Sequence, residues 1–338
     1  MSDRLRAARN SVVLALTVLA MAVNVSAQTS AKQKQWMPPR TPDGHPDLQG
    51  TWIIRTATPL ERPKALEGKA FLTDTEVAEL KARAARIFAN GGSDFAAGDN
   101  VFFAALGNPD QFKSVTATGG AEDMIEREFD HHTSLVTDPA DGHVPSLTIE
   151  GQRRREAALA RGRRPDGPED LDNAFRCISW GVPRLGGRYG AGDLAYYQIV
   201  QTPSQILLFM ETGHEARIIP LDGRPHLAHG IGQWSGDSRG RWEGDTLVVD
   251  TVNFSSKSYF MGAAENLHLI ERFTRTSADT ITYQMTLDDP TTWTKSWSAE
   301  MPLKASDQQL YEYACHEGNG DLMMSVLRGA HAATGDGR

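Results

Sequence analysis

Several motifs that would reveal an activity are absent from this sequence of 338 residues. Its one Gly-x-Ser-x-Gly run, at 236–240, does not form the strand-to-helix elbow of a nucleophile, which argues against an α/β-hydrolase. Its glycines lack the strand–glycine–helix order of a phosphate-binding loop, and no repeat of about 20–50 residues indicates a solenoid or propeller. Acidic side chains outnumber basic ones, and the net charge of −8 makes nucleic acid an unsuitable partner.

The first 27 residues have the pattern of a secretory signal peptide. Arg4, Arg6 and Arg9 precede an apolar run over 12–23, and small residues lead to Ala27. The run is too short to favour a permanent membrane span. We therefore expect cleavage after Ala27, a periplasmic or secreted protein, and a single mature domain over 28–338 with no integral membrane segment. The leader carries a net charge of +2, so the mature chain carries −10.

Cysteine occurs only at Cys177 and Cys315. Exported proteins meet an oxidising compartment, which favours a disulfide between the two. Chain entropy alone would give such a long loop about 4–5 kcal/mol of stabilisation. The competing interpretation is a reactive thiol at Cys315, next to His316 and Glu317.

Residues 28 to about 190 are interpreted as an N-terminal arm followed by helices. Proline and glycine dominate 28–70, apart from one apolar contact over 48–54. Thr73 and Glu76 have the spacing of a capping box, which predicts a helix near 75–89.

A second helix is predicted from Thr148 to Gly162, and a short closing helix from Leu322 to His331. The second helix and its exit carry six arginines, which we interpret as a solvated helix face. They lie at 153–155, 161, 163 and 164.

Short β-rich runs separated by turns dominate from about 194 to 315. Helices between them are missing, which excludes parallel crossover units and favours an antiparallel barrel or sandwich. We predict a mainly β fold: a barrel-like core of the lipocalin or calycin type with a few flanking helices. The predicted strands are 195–201, 205–211, 216–221, 246–251, 268–274, 280–287, 293–301 and 310–314. The intervening segment 233–245 is interpreted as a hairpin with tryptophan as its packing anchor.

Alternation along the strand at 268–274 leaves two possibilities for the barrel interior. If Leu269 and Phe273 face inward, Glu271 is an interior carboxylate. If the other face is inside, His268 and Arg272 form the interior polar pair. Either case places an ionisable group among apolar neighbours, where its pKa shifts. A satisfied structural ion pair is the alternative.

The predicted site combines polar residues of two strands late in the barrel. Candidate bases are histidines, with carboxylates as orienting or acidic partners and arginine stabilising negative charge. We expect at least two of the catalytic candidates to line one pocket. These are His268, Glu271, Arg272, His316 and Glu317. The predicted ligand-binding residues are His214 and Arg217 at a barrel mouth, with Trp234 and Tyr313.

Two histidine clusters raise the question of a metal. One is Asp130, His131 and His132, and the other is His226 with His229. Neither matches a strict metal template, so no metal and no cofactor is predicted, although the sequence leaves binding at these five residues open.

Eight segments resemble a large family of secreted bacterial proteins. They read TPDGHPDLQGTW at 41–52, SLVTDPADG at 134–142, RC at 176–177, YQIVQTP at 197–203, ARIIPLDGRPH at 216–226, GDSRGRWEGDTLVVD at 236–250, ENLHLIER at 265–272 and YEYACHEGN at 311–319. The resemblance implies one integrated unit from 41 to about 330 and carries no reaction. His131, His132 and His143 depart from the family pattern, so a histidine-based role there would be particular to this protein.

Three functions compete at this point, because a barrel fold does not settle function. The first is an exported lyase, isomerase or hydrolase that performs acid–base chemistry on a small organic compound. The second is a lipocalin-like carrier of an apolar ligand, and the third a structural envelope protein. The expected partner is a small molecule; the oligomeric state is not predicted.

Overall fold

The fold is a ten-stranded antiparallel sheet that curves until it nearly closes into a barrel. The computed structural model describes residues 36–89, 101–107, 127–184, 196–258 and 260–333. The predicted signal peptide lies outside the described residues. The strands are β1 (Gly50–Ile53), β2 (Val136–Asp138), β3 (Tyr196–Gln201), β4 (Gln205–Met210), β5 (Glu215–Pro220), β6 (Asp237–Glu243), β7 (Thr246–Val252), β8 (His268–Arg275), β9 (Thr280–Asp288) and β10 (Trp297–Ser306).

Four α-helices accompany the sheet in this part of the chain. They are α1 (Asp74–Ala89), α2 (Val101–Leu106), α3 (Ile149–Arg163) and α4 (Asn319–Ala333). None of the described helices is long and apolar enough to cross a membrane. The mainly β, barrel-like prediction is confirmed.

The strand order brings the two ends of the sheet together. It runs β5-β4-β3-β1-β10-β9-β8-β7-β6, and β2 pairs with β10. The end strands β5 and β6 meet where Arg217 Nη2 donates to Ser238 Oγ over 3.1 Å. Farther along, Gly240 lies so close to β5 that a Cβ there would be 2.8 Å from Ile219 Cγ2. Side chains therefore bridge the gap between the end strands.

Alternation along the strands sorts their side chains into an inner and an outer face. On β8, Leu269, Glu271 and Phe273 are buried, whereas His268 and Arg272 are only partly buried. The register with β9 places Phe273 beside Tyr283, and the two rings stack. Leu269 and Phe273 therefore belong to the apolar core, and Glu271 is the interior ionisable group.

The helices follow their capping signals. The amide of Thr73 donates to Glu76 Oε2 over 2.9 Å, and the amide of Glu76 donates to Thr73 Oγ1 over 3.3 Å, which is a capping box. Thr148 caps α3 by accepting from the amide of Gly151 at 3.0 Å. Both predicted helices, and the closing helix α4, are confirmed.

The prediction of a strand over 310–314 is wrong. This stretch is extended but belongs to no strand. The amide of Tyr311 donates to Glu211 Oε1 at 2.6 Å, and the amide of Tyr313 donates to His214 Nε2 at 3.0 Å. Alternating side chains suggest a strand. Here, however, the backbone amides donate hydrogen bonds to the side chains of Glu211 and His214 and not to the backbone of a neighbouring strand.

The strand prediction over 293–301 began too early, since Thr292 and Trp293 form a turn closed on Asp289 and β10 begins at Trp297. The prediction also missed β1 and β2 as strands, since each has weak alternation or glycine within it. β6 lies within 233–245, the segment interpreted as a hairpin, and it pairs with β7.

The predicted disulfide is present. Cys177 and Cys315 are bonded, with their Cα atoms 5.8 Å apart. Cys315 is therefore not a free thiol, and the bond ties the segment before α4 to the loop around 177.

Candidate functional site

A buried ion pair occupies the barrel interior. Arg217 on β5 binds Glu271 on β8 in a bidentate manner, with Nη2–Oε2 at 2.6 Å and Nη1–Oε1 at 3.1 Å. The hydroxyl of Tyr283 on β9 donates to Glu271 Oε1 over 2.6 Å. Arg217 Nη2 also donates to Ser238 and Thr251. The cluster joins strands β5, β6, β7, β8 and β9.

Burial raises the pKa of Tyr283 well above its usual value, and the neighbouring Glu271 carboxylate adds to this. Tyr283 therefore keeps its proton and donates it in the hydrogen bond to Glu271. The negative charge of Glu271 is paired with Arg217. The two predicted residues Glu271 and Arg217 are brought together as a buried bidentate ion pair, which agrees with the structural alternative of an ion pair.

A second cluster lies on the outer face of β6, β7 and β8. Asp250 Oδ1 is 3.1 Å from His268 Nε2 and 3.1 Å from His226 Nε2. The other ring nitrogen of His226, Nδ1, is 3.1 Å from Asp237 Oδ2. The hydrogen bond to Asp250 raises the pKa of His268 against the opposing effect of burial, and the same bond lowers the pKa of Asp250.

Asp237 anchors the loop that carries His226. Its carboxylate accepts from the amide of Leu227 at 2.8 Å and from Arg239 Nη1 at 2.6 Å. Burial works to raise the pKa of Asp237, but these hydrogen bonds and that of His226 hold it below its usual value. Three of the segments that carry the family resemblance, 216–226, 236–250 and 265–272, meet at this cluster.

The other predicted site residues lie apart from both clusters. Arg272 faces outward and pairs with Glu243 at 2.8 Å. His214 stacks on Phe209 and accepts from the amide of Tyr313, so these two predicted ligand-binding residues are neighbours.

His316 and Glu317 are exposed in the turn after the disulfide. Within the described chain, no hydrogen bond or ion pair joins either of them to His268 or Glu271. Trp234 lies elsewhere, at the edge of the largest cavity described below.

A third cluster centres on His132. The carboxylate of Asp130 accepts from His132 Nδ1 at 3.2 Å and from the amide of His132 at 2.7 Å. Thr58 Oγ1 donates to it at 3.2 Å and Thr56 Oγ1 at 3.5 Å. Because Nδ1 is held by Asp130, Nε2 is the nitrogen left to meet a ligand. It lies 3.9 Å from Glu300 Oε1 on β10.

Hydrogen bonds set the protonation of this pair. Burial works to raise the pKa of Asp130, but the side-chain and backbone bonds from His132 outweigh it and lower that pKa. The bond from Asp130 raises the pKa of His132 despite burial, and the charges of Asp130 and Glu300 add to the rise. Gln284 Nε2 holds the far oxygen of Glu300 at 2.6 Å. His132 Nε2 and the carboxylate of Glu300 thus face one another at 3.9 Å.

His132 and Glu300 line a cavity of about 290 Å³ between the segment 128–135 and strands β9 and β10. Apolar and charged side chains both line the cavity. Its lining residues are Glu128, Phe129, Asp130, His131, His132, Leu135, Thr282, Glu300, Met301, Pro302 and Lys304. Of the three clusters, we take this one as the candidate functional site, because it places an oriented imidazole and a second carboxylate beside space for a ligand.

The sequence singled out Asp130, His131 and His132 only as a candidate metal cluster. Among the described residues, no group of three or more His, Cys, Asp or Glu side chains is arranged to hold a metal ion. The signal for an Asp–His pair was the two-residue spacing, which lets one carboxylate bind both the ring and the amide of His132. Glu300 could not be found this way, because it lies on a distant strand.

No protein-family model, no curated protein and no solved structure matches this chain. The family resemblance therefore stays a prediction from the motifs.

Proposed function

We propose that this protein is an exported enzyme that moves protons on a small organic compound in the cavity beside His132. The observation that supports this is the Asp130–His132 pair at the cavity wall, with the Glu300 carboxylate 3.9 Å from His132 Nε2. A general acid and a general base close enough to act on one substrate are what elimination and isomerisation require.

In an elimination, Glu300 takes a proton from a carbon next to an electron-withdrawing group. The electrons of that C–H bond form the new double bond as the bond to a leaving oxygen breaks. His132 gives its Nε2 proton to that oxygen, which leaves as water or an alcohol. The proton on Glu300 then returns to His132, which restores both groups. In an isomerisation the same pair returns a proton to a different atom of the substrate.

Asp130 is a positioning residue in this proposal. It holds Nδ1, so that Nε2 faces the cavity, and it stabilises the imidazolium form. The raised pKa of His132 keeps it a proton donor closer to neutral pH than a free imidazole would be.

The lining also indicates the substrate class. The lining has three carboxylates, those of Glu128, Asp130 and Glu300, and the basic side chains His131, His132 and Lys304. Glu128 is in addition paired with Arg55 outside the lining. Lys304 is turned to Thr280 Oγ1 at 2.8 Å, so the cavity favours a neutral or cationic compound over an anion. Its volume of about 290 Å³ is at the lower end of ligand pockets, which span about 300–1,000 Å³. We therefore propose a small hydroxylated ketone or amine.

Export is supported by two observations. The sequence begins with a leader pattern, and Cys177 and Cys315 are disulfide-bonded, as is usual in oxidising compartments.

Deuterium incorporation tests the proposal without knowledge of the product. The mature protein would be incubated in D₂O with a panel of small α- and β-hydroxyketones and hydroxyamines, and C–H signals would be followed by proton NMR. We expect protein-dependent exchange at one carbon of at least one compound. General acid–base groups contribute about 10²–10⁴-fold, so His132→Gln should slow exchange by at least about 100-fold.

The matched control is His143→Gln, which removes a surface imidazole 3.7 Å from Glu61. It should exchange at the wild-type rate. Equal exchange in both variants would contradict the proposal. Binding of a panel compound without any exchange would instead support the carrier.

A further inference from the structure

The largest cavity among those described lies elsewhere, between α3 and two loops, and encloses about 590 Å³. It is lined by the last turns of α3, the segment 169–176, the segment 256–258 and Trp234. The full lining is Ala158, Leu159, Arg161, Gly162, Arg163, Glu169, Asp170, Leu171, Asp172, Asn173, Arg176, Trp234, Ser256, Lys257 and Ser258.

One part of the wall is apolar. Leu159 is 50% exposed and Trp234 36% exposed, although both are large apolar side chains. Only Gly151 of α3 is buried; the helix exposes two large apolar side chains, Ile149 and Leu159, and only Leu159 of the two lines the cavity. An indole and a leucine at the edge of a cavity offer a surface to the apolar body of a ligand.

The charged part of the wall has an excess of one positive charge, with four cationic and three carboxylate side chains. Arg161 is paired with Asp170 at 3.9 Å. Arg163, Arg176 and Lys257 make no ion pair within the described residues. The three cations come from three different elements. Arg163 belongs to the last turn of α3, where it also complements the helix dipole, and Arg176 and Lys257 come from two separate loops.

Ties between the loops hold these walls in place. Asn173 Nδ2 donates to the carbonyl of Lys257 at 2.8 Å, and Ser258 Oγ donates to the carbonyl of Trp234 at 2.9 Å. Arg176 precedes Cys177, which is bonded to Cys315. The cavity is thus built before any ligand arrives, which lowers the entropic cost of binding.

We propose that this cavity binds a monoanionic amphiphile, an organic carboxylate or sulfonate with an aromatic or aliphatic body. The apolar body packs on Trp234 and Leu159, and the anionic group is held by Arg163, Arg176 and Lys257. Carboxylates in the lining disfavour polyanions. This site is separate from the cavity beside His132, so it neither requires nor follows from the proposed enzyme activity.

Two fluorescent probes with one ring system test the charge requirement. 8-Anilinonaphthalene-1-sulfonate carries the anion, and N-phenyl-1-naphthylamine lacks it. Titrated into the mature, disulfide-bonded protein, the sulfonate should bind at least about tenfold more tightly, as expected for charge-assisted hydrogen bonds, and added salt should weaken it.

Variants locate the site. Arg176→Gln should weaken sulfonate binding by about tenfold and leave the neutral probe unchanged. Trp234→Ala should weaken both probes. Arg155→Gln is the control, since Arg155 is an exposed arginine of α3 outside the lining, and it should change neither. Lys257→Gln replaces Arg176→Gln should the latter unfold.

His132→Gln should leave sulfonate binding intact, which separates this proposal from the enzyme activity. Equal affinity for the two probes, or the same loss in Arg155→Gln as in Arg176→Gln, would overturn the inference, because the sulfonate would then be binding to general apolar or basic surface.

Discussion

The interior ion pair gives the sharpest test of how the barrel is held. Arg217 is 6% exposed and Glu271 1% exposed, and two hydrogen bonds of 2.6 and 3.1 Å join them. Glu271→Gln removes the negative charge and leaves the guanidinium buried without a counter-ion. Breaking a buried pair from one side costs about 3–5 kcal/mol, so the free energy of unfolding should fall by that amount.

The neighbouring Arg272 supplies the matched control on the same strand. It pairs with Glu243 over 2.8 Å, but its side chain is 40% exposed. Exposed pairs contribute about 0–1 kcal/mol, so Arg272→Gln should be nearly neutral. The measurement is urea unfolding of the disulfide-bonded protein, followed by far-UV circular dichroism, at neutral pH.

The double variant Arg217→Met, Glu271→Leu, measured with its two single variants Arg217→Met and Glu271→Leu, completes a double-mutant cycle. It removes both charges and fills similar volume, so it should lose less stability than Glu271→Gln alone. The reasoning is refuted if Glu271→Gln costs less than about 1 kcal/mol, the range of an exposed pair, or if the double variant loses the sum of the two single changes.

Three further predictions concern the outer cluster, the disulfide and the barrel seam. Asp250→Asn should lower the pKa of His268 in an NMR titration. The difference in unfolding free energy between wild type and this variant should be largest near pH about 5–6, between the unfolded pKa values of Asp and His. It should shrink as pH rises through the raised pKa of His268. A difference that grows with pH would contradict the ion pair between Asp250 and His268. Replacing both Cys177 and Cys315 by Ser should cost at most about 4–5 kcal/mol in urea unfolding, with no loss if the disulfide is absent. Gly240→Ala places a methyl group 2.6 and 2.8 Å from two side chains and should cost about 1–3 kcal/mol, whereas an unchanged midpoint would show an open seam.

Local sequence signals predicted the elements whose causes are local. The capping box at Thr73 and Glu76 predicted the start of α1, and strict alternation predicted β8 and β9. The same logic failed for 310–314, since its alternation is real but a strand also needs a neighbouring ladder. The expectation of export, together with the number of cysteines, predicted the disulfide, because with two cysteines only one pairing exists.

The site was harder to predict because its parts are distant in the chain. Alternation on β8 restricted the interior group to Glu271 or to His268 with Arg272, but only packing against β9 decided for Glu271. Arg217 was assigned to a barrel mouth, whereas curvature of the sheet brings β5 across to β8. His132 and Glu300 meet because the segment 128–135 crosses β10, and no spacing rule encodes such a contact.

The pH dependence of deuterium exchange in wild type and Asp130→Asn shows whether His132, held by Asp130, donates the proton. If His132 is the proton donor, the wild-type rate should fall on the alkaline side of the profile, as His132 loses its proton. Because Asp130 raises the pKa of His132, this fall should be centred above about pH 6.5, the usual pKa of histidine. In Asp130→Asn the same fall should occur at lower pH. Identical profiles in the two proteins would contradict a proton transfer by His132 that depends on Asp130.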